Sequence, residues 1–285
     1  MDEIEQQRQA VIDRIVAVCQ ADDRVVATFL GGSYARGATD AYSDIDCGLI
    51  TTDAAYDQFF AERAAFVRQL GEPIFLEDYR TERGDWVFFA LLARRAGAAD
   101  QGEMAVECEL MLARASAFQR MHVGPHRVLL DKVNLLTGVA FAAAALPEDE
   151  LAERVRSQIT WFWHDLTHHV TTPLARGRWW SAYGGLQDLR LTCVNLARLQ
   201  AGESTALDGY EKIEETVPAE RLAPLAVTCC PLERAAMLEA ASALVGYYRD
   251  LALPLAQRYG VAYPTALDRV MTARLERLRA SAYGH

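Results

Sequence analysis

The sequence predicts an α+β protein in which a strand-rich first half is followed by a bundle of helices. Two patterns support this prediction. Short apolar and β-branched segments alternate with helical patterns through residues 1–132, whereas from about Pro147 onward only long amphipathic segments are found. We therefore expect two domains, at 1–132 and 133–285, in a chain of 285 residues that is long enough to bury both cores.

The first half is expected to contain two helices and six strands. Residues 3–20 place apolar side chains at helical spacing, and residues 54–71 do the same before a stop at Gly71. The strands are separated by turns rich in Gly, Asp and Arg, and we expect them at 24–30, 44–52, 73–79, 86–93, 104–112 and 126–131.

The second half is expected to be helical throughout. Gly202 and Gly260 are suitable residues to end helices, and Pro264 is suitable to begin one. The four long amphipathic segments rich in Ala, Leu and Arg lie at 149–170, 178–202, 231–260 and 264–280.

The composition excludes several classes of protein. The net charge is −10 and no basic stripe is present, which argues against nucleic-acid binding and suits a small, cationic substrate. No apolar run approaches the roughly 18 residues of a membrane span, and the acidic amino terminus lacks the layout of a signal peptide. The six cysteines form no CxxC pair, so we expect reduced thiols in a cytoplasmic protein without a membrane partner.

The segment from Gly31 to Leu49, GGSYARGATDAYSDIDCGL, carries the strongest chemical signal. Side chains alternate along a strand, so Asp44 and Asp46 project from the same face. Two carboxylates this close repel each other, and a divalent cation between them removes that repulsion. Hard oxygen ligands of this kind suit Mg²⁺, which completes its shell with water and substrate phosphate.

Two further features of the first half fit phosphate chemistry. The Gly-Gly-Ser turn at 31–33 lets the backbone approach an anion, and Ser33 and Arg36 can donate to phosphate oxygens. The later strand VECELML places Glu107 and Glu109 on one face, where either fits the role of a proton acceptor by spacing alone. Each piece alone also fits an ordinary turn or a solvated edge strand, but the three in this order favour a site for nucleotidyl transfer.

These residues resemble the nucleotidyltransferase superfamily that shares the DNA polymerase β catalytic fold. Within it, the whole chain is similar to the antibiotic nucleotidyltransferases, with the lincosamide enzymes as the nearest group and the aminoglycoside enzymes as relatives. The resemblance is carried by the Gly-Ser and Asp-x-Asp segment, by RGRWWSAYGGLQDLRLTCVNLARL, and by LALPLAQRYGVAYPTALDRVMTARLERL.

The resemblance implies both a fold and an activity. A catalytic domain with a mixed sheet at 1–132 would be joined to a helical substrate-binding domain at 133–285. The expected reaction moves a nucleoside monophosphate from an Mg²⁺-bound nucleoside triphosphate, ATP above all, to a hydroxyl of a small molecule such as a lincosamide or aminoglycoside antibiotic. Such an enzyme would confer antibiotic resistance, and family analogy makes a homodimer plausible.

The resemblance also assigns roles to individual residues. Asp44, Asp46 and Glu109 would bind the metal ions. Glu109 is followed by three strand residues before the chain turns, as in the family, so it is preferred over Glu107 as general base. The nucleotide would be held by the turn and its neighbours, at Gly31, Gly32, Ser33, Arg36 and Ser43. The alternative is a regulatory or antitoxin-like nucleotide-binding protein with the same fold and no small-molecule activity.

The segment HDLTHH, at 164–169, is a candidate for a second site. His164 and His168 are four positions apart on a predicted helix, a spacing that can bind zinc. Asp165 stands where a zinc protease has glutamate, and no third ligand is evident, so we interpret the histidines as polar helix positions near a domain interface or an acceptor pocket. Four tryptophans nearby are expected in the helical core or against a flat substrate ring: Trp161, Trp163, Trp179 and Trp180.

Overall fold

A computed structural model describes residues 3–81, 86–93, 105–142, 146–202 and 209–283. The chain has the α+β architecture that the sequence predicts, and it divides into two units, Met1–Ala143 and Ala144–His285. The first unit extends past residue 132, where the sequence placed the domain boundary, because Leu136 and Phe141 pack into its core.

The first unit is built on one mixed six-stranded sheet in the order β3-β4-β5-β2-β1-β6. Strands β2 and β5 are parallel, and the other neighbouring pairs are antiparallel. All six predicted strands are present, although Met104, the predicted start of β5, lies outside the described residues. The strands are β1 (Val25–Leu30), β2 (Ile45–Thr51), β3 (Pro73–Arg80), β4 (Trp86–Leu92), β5 (Val106–Arg114) and β6 (Arg127–Asp131).

The helices of the first unit pack mainly on one face of this sheet. Instead of a single helix over 54–71, the chain forms two, because Glu62 leaves helical geometry with φ −94° and ψ 6°. The helices are α1 (Glu3–Ala21), α2 (Gly32–Arg36), α3 (Tyr56–Ala61) and α4 (Arg63–Leu70). Apolar side chains of α1 and α4 cover the strand residues that alternate inward, such as Ile45, Cys47 and Leu110.

The opposite face of the sheet is covered differently. Phe29 and Ile50 pack there against Phe118 and Phe141, which come from the connections that follow β5 and β6. This second core includes Ala113 of β5, toward the carboxyl-terminal end of the strand. It leaves the amino-terminal ends of the parallel strands β2 and β5 for polar residues.

The second unit is entirely helical over the residues that the structure describes. Helix α5 (Glu148–Asp165) continues into a π-helical turn, Leu166–Thr171, and then into α6 (Thr172–Ala175). The other helices are α7 (Trp179–Ala201), α8 (Ile213–Thr216), α9 (Ala219–Ala226), α10 (Arg234–Arg258) and α11 (Thr265–Tyr283). The four long helices were predicted, whereas the π turn, α8 and α9 were not.

The core of the second unit lies between α5, α7 and α10. Trp163 is fully buried in it, packing edge-on against Phe162 and Tyr248. Trp161, Trp179 and Trp180 are exposed, so the expectation of a core position is correct for Trp163 and wrong for the other three. Among the described helices, none has the length and apolar character needed to cross a lipid bilayer.

Candidate active site

Three carboxylates meet at the amino-terminal ends of β2 and β5. Asp46 and Glu109 are register partners on the two parallel strands, and Asp44 directly precedes β2. One carboxylate oxygen from each of Asp44, Asp46 and Glu109 can be chosen so that all lie within 4.8 Å of one another, and the three residues are half-buried. Glu107, two residues before Glu109, is exposed and is not part of this cluster.

The alternation of the strands explains why the acids share this position. Ile45 and Cys47 point into the helix-covered core, so Asp44 and Asp46 point to the other face. Cys108 and Leu110 do the same on β5 and leave Glu109 on the face of the aspartates. Because β2 and β5 are adjacent and parallel, the strand register alone brings Asp46 and Glu109 together.

The glycine turn touches the acid cluster directly. The backbone N–H of Gly31 donates to the carbonyl oxygen of Asp46 at 2.9 Å, which fixes the start of α2 beside β2. Gly32 has φ +51°, and a Cβ atom there would lie 1.6 Å from Asp46 Oδ2. The position therefore requires glycine both for its backbone conformation and for the space that Asp46 fills.

The other predicted nucleotide-binding residues lie on α2 and on the loop that follows it. Ser33 is half-buried, and no group among the described residues hydrogen-bonds to its buried hydroxyl oxygen. Arg36 is exposed at the end of α2. The hydroxyl of Ser43 donates to Asp40 Oδ1 at 3.1 Å, so in this structure Ser43 closes the turn before β2.

Arg8 on α1 holds that same loop and was missed from the sequence. Its guanidinium group is buried and donates to the carbonyl oxygens of Asp40 and Ala41, both at 2.7 Å. Glu5 pairs with it at 3.2 Å. A buried charge is stable only when it is paired and hydrogen-bonded in this way, so Arg8 fixes the path of the backbone that leads to Asp44.

Tyr79 on β3 is a second residue that sequence reasoning missed. Its hydroxyl donates to Glu109 Oε1 at 2.7 Å across the intervening strand β4. Partial burial and, after it, the hydrogen bond to the Glu109 carboxylate raise the pKa of Tyr79 to about 12. The tyrosine therefore stays protonated and orients one oxygen of Glu109.

His122 lies on the other side of the glycine turn. A Cβ atom at Gly31 would be 2.8 Å from His122 Cε1, so the ring packs directly on the turn. The ring also packs against Phe29 and Phe141, with centroids 5.4 and 5.3 Å away. Burial among these rings lowers the pKa of His122, so the imidazole is neutral at pH 7.

The donor set of the cluster fits a hard divalent cation. Three half-buried carboxylates repel one another, and a cation between them would relieve that repulsion. Carboxylate oxygens are the ligands that Mg²⁺ takes, in a shell completed by water and phosphate. The buried Ser33 hydroxyl, which has no hydrogen-bond partner among the described residues, leaves a donor for a phosphate beside that cation.

One protein-family profile matches the chain over nearly its whole length. The sequence profile of the streptomycin adenylyltransferase family matches residues 5–278 of the chain. No curated protein matches it.

Similar solved structures include two nucleotidyltransferase-type proteins. One is an aminoglycoside 6-adenyltransferase from Bacillus subtilis, with 13% identity over 96% of this chain and 98% of that chain and a TM-score of 0.44. Another is a nucleotidyltransferase-like protein from Exiguobacterium sibiricum, with 12% identity over 90% of this chain and 78% of that chain and a TM-score of 0.39.

Proposed function

Since the chain belongs to the streptomycin adenylyltransferase family of antibiotic nucleotidyltransferases, we propose that it transfers the AMP group of ATP to a hydroxyl of an aminoglycoside, with Mg²⁺ as cofactor. The observation that supports this most directly is the meeting of Asp44, Asp46 and Glu109 within 4.8 Å beside the glycine turn. The family match favours an aminoglycoside over the lincosamide that the sequence resemblance placed first. It also spans both units, which a short regulatory module does not require.

Each residue of the site has a part in this proposal. Asp44, Asp46 and Glu109 would hold Mg²⁺, which when bound neutralises the triphosphate and orients its α-phosphorus for in-line attack. Gly32 leaves room for the Asp46 carboxylate beside the turn, and Ser33 would donate its hydroxyl hydrogen to a phosphate oxygen.

Glu109 accepts the proton of the attacking hydroxyl in this scheme. Its oxygen Oε1 is held by Tyr79, which leaves Oε2 for the acceptor. The new bond forms between the acceptor oxygen and the α-phosphorus, and pyrophosphate leaves. Catalysis then rests on positioning and on charge neutralisation rather than on a covalent enzyme intermediate.

The acceptor's chemistry fits the charge of the chain. Aminoglycosides are polycations, and a chain with a net charge of −10 attracts them at low ionic strength. The same charge disfavours nucleic acids as acceptors.

An acceptor screen tests the proposal. The full chain is incubated with ATP and Mg²⁺ and with streptomycin, other aminoglycosides and lincomycin in turn, and pyrophosphate release is measured together with the mass of the acceptor. We expect release and AMP addition with at least one aminoglycoside, and neither product with Asp46→Asn. Tight ATP binding without release for any acceptor would instead favour the regulatory alternative.

A further inference from the structure

A second group of metal-ligating side chains lies in the helical unit, at the junction of α5 and the π turn. One ligand atom from each of His164, Asp165 and His169 can be chosen so that all lie within 4.8 Å of one another. His164 Nδ1 is 3.1 Å from Asp165 Oδ1, and His169 Nε2 is 3.8 Å from the same oxygen. The two histidines are largely exposed, and Asp165 is half-buried.

The π turn brings His169 toward His164, whereas Asp165 and His169 are four positions apart and are neighbours on a regular helix as well. A regular α-helix advances about 100° per residue, so a residue five positions later lies about 140° around the axis. A π-helical turn closes i→i+5 hydrogen bonds and places such residues roughly above one another. His164 therefore shares Asp165 with His169. His168, which the sequence spacing selected, instead stacks its ring on that of His164, with centroids 4.5 Å apart.

The buried residues on either side of the π turn lie in one core. Buried residues recur at four-residue steps before the turn, at Leu151, Val155 and Ile159, and again after it. Each such step advances about 40° around an α-helix, so the stripe would drift away from the core. The slower winding of the π turn reverses this drift and keeps Val170 and Leu174 in the same core.

Helix α7 fits closely against the turn. A Cβ atom at Gly185 would lie 2.2 Å from the carbonyl oxygen of His169, so only glycine allows this approach. The carboxylate of Asp188, one turn further along α7, is within electrostatic range of Asp165 and His169. The π turn is thus held by the core on one side and faces two carboxylates on the other.

This donor set differs from that of the first unit. Two imidazoles and one carboxylate suit zinc and neighbouring transition metals, whereas Mg²⁺ prefers oxygen alone. In tetrahedral zinc sites the ligand atoms lie about 3.3 Å apart, given metal–ligand bonds of about 2.0–2.1 Å. The two measured separations of 3.1 and 3.8 Å bracket that value.

We propose that His164, Asp165 and His169 form a binding site for a divalent transition-metal cation of the zinc type. Three protein ligands leave a fourth position that solvent or the carboxylate of Asp188 fills. The site is separate in residues and in ligand chemistry from the carboxylate cluster of the first unit, and it does not depend on the proposed transfer reaction. Its metal stabilises the π turn, because a ligand that binds only the folded chain shifts the unfolding equilibrium.

Zinc titration of the full chain without a histidine tag tests the site. Isothermal calorimetry is carried out after chelator treatment and with Mg²⁺ in excess to occupy oxygen-rich sites, and Co²⁺ absorption reports the ligand geometry. We expect one equivalent of zinc and a higher melting temperature with zinc bound. His169→Ala should weaken binding at least about tenfold, since even partners outside the ligand shell are worth that much.

His168→Ala is the matched control. Because His168 is not among the clustered ligands, this variant should keep at least most of its zinc affinity, whereas a site built on the pair His164 and His168 would lose it. Asp165→Asn is a second ligand variant in case His169→Ala fails to fold, as judged by circular dichroism. Absence of zinc binding, loss of binding in His168→Ala but not in His169→Ala, or loss of the zinc equivalent in Asp46→Asn would each overturn the proposal.

Discussion

The two clusters of metal-ligating side chains are assembled by opposite means. Asp46 and Glu109 are 63 positions apart in the sequence and meet because two parallel strands lie in register. His164, Asp165 and His169 are almost consecutive and meet where α5 passes into the π turn. The contrast shows that a sheet gathers residues that are distant in the sequence through strand register, whereas a helix gathers residues that are already close in the sequence.

The ligand types follow the same division. The sheet cluster holds only carboxylates and suits a hard cation that phosphate can share. The helix cluster mixes imidazole with carboxylate and suits a transition metal. Variants that damage one cluster should therefore leave the other intact, and the following expected outcomes test that independence in order of decreasing effect.

The largest effect is expected from Asp46→Asn. Loss of a carboxylate that holds the divalent cation removes several kcal/mol of transition-state stabilisation, so kcat/KM for AMP transfer should fall by about a thousandfold or more. The melting temperature should not fall, because a repelled charge is removed. Zinc binding by the helical unit should be unchanged. Pyrophosphate release at more than about a tenth of the wild-type rate would contradict this role of Asp46.

Gly32→Ala compared with Gly37→Ala separates strain from steric conflict. Both glycines have positive φ, at +51° and +66°, so each substitution costs roughly 1–2 kcal/mol of folding free energy. A Cβ atom meets Asp46 only at Gly32, because nothing lies within 4 Å of it at Gly37. We expect kcat to fall about a hundredfold in Gly32→Ala, since a shift of about 1 Å can cost that much, and to change little in Gly37→Ala. Equal losses of activity in the two variants would show that the contact with Asp46 is unimportant.

Gly185→Ala compared with Gly184→Ala tests the helical cluster in the same way. At Gly185 the new methyl group would meet the carbonyl oxygen of His169, and the resulting overpacking should lower the free energy of unfolding by about 1–3 kcal/mol and weaken zinc binding. At Gly184 nothing lies within 4 Å, so alanine should stabilise the helix by roughly 0.5–1 kcal/mol. Urea denaturation and zinc titration measure both effects. An unchanged zinc affinity in Gly185→Ala would argue against the π turn as the support of the site.

Tyr79→Phe removes one hydrogen bond and no packing. Because the hydroxyl orients Glu109 Oε1 from an exposed position, we expect kcat to fall by roughly three- to tenfold with little change in KM for ATP. Tyr42→Phe, at a side chain that is 89% exposed, is the matched control and should be silent. Steady-state kinetics of both variants measure the effect. A kcat of Tyr79→Phe equal to that of Tyr42→Phe would show that the Tyr79 hydroxyl has no part in catalysis.

The smallest effect concerns His122, whose burial contrasts with the exposure of the histidines in the helical unit. Its pKa is lowered in the folded chain, so the unfolded chain takes up a proton first as the pH falls. The contribution of neutral His122 to stability is therefore complete above the ordinary histidine pKa of about 6.5 and declines below it. His122→Gln should show a smaller loss of unfolding free energy between pH 7.5 and 5.5 than the wild type, measured by urea denaturation at each pH. An identical loss would assign the acid sensitivity to other groups.

The sequence predicted the strands and the acid cluster because both depend on local alternation. Asp44, Asp46 and Glu109 each sit in an apolar strand whose period of two fixes the face of the side chain. Tyr79 could not be predicted in the same way, because it reaches Glu109 only once the order β3-β4-β5 is known. The role of Arg8 has no local signal either, since the carbonyl oxygens that it holds, those of Asp40 and Ala41, lie more than 30 positions away.

The cluster of His164, Asp165 and His169 could not be predicted from the sequence for a different reason. The four-residue spacing of His164 and His168 correctly predicts that their rings are neighbours, but the histidine that joins His164 and Asp165 in the cluster is His169. The π turn depends on how the helix packs in the core and on its approach to Gly185, and these are tertiary effects that a local pattern does not contain. Local periodicity thus identifies residues on regular elements and misplaces those at an irregular turn.

The contact between Gly32 and Asp46 also bears on how this site can evolve. While Asp46 is present, a side chain at position 32 would clash with its carboxylate and would also strain the backbone. Once the aspartate is replaced by a smaller residue, the collision disappears and drift at position 32 becomes far less harmful. The order in which the site is lost therefore matters. Replacement of Asp46 comes first, and it makes substitution of Gly32 tolerable. After Gly32 has been substituted, a reversion to Asp46 alone no longer restores the original site.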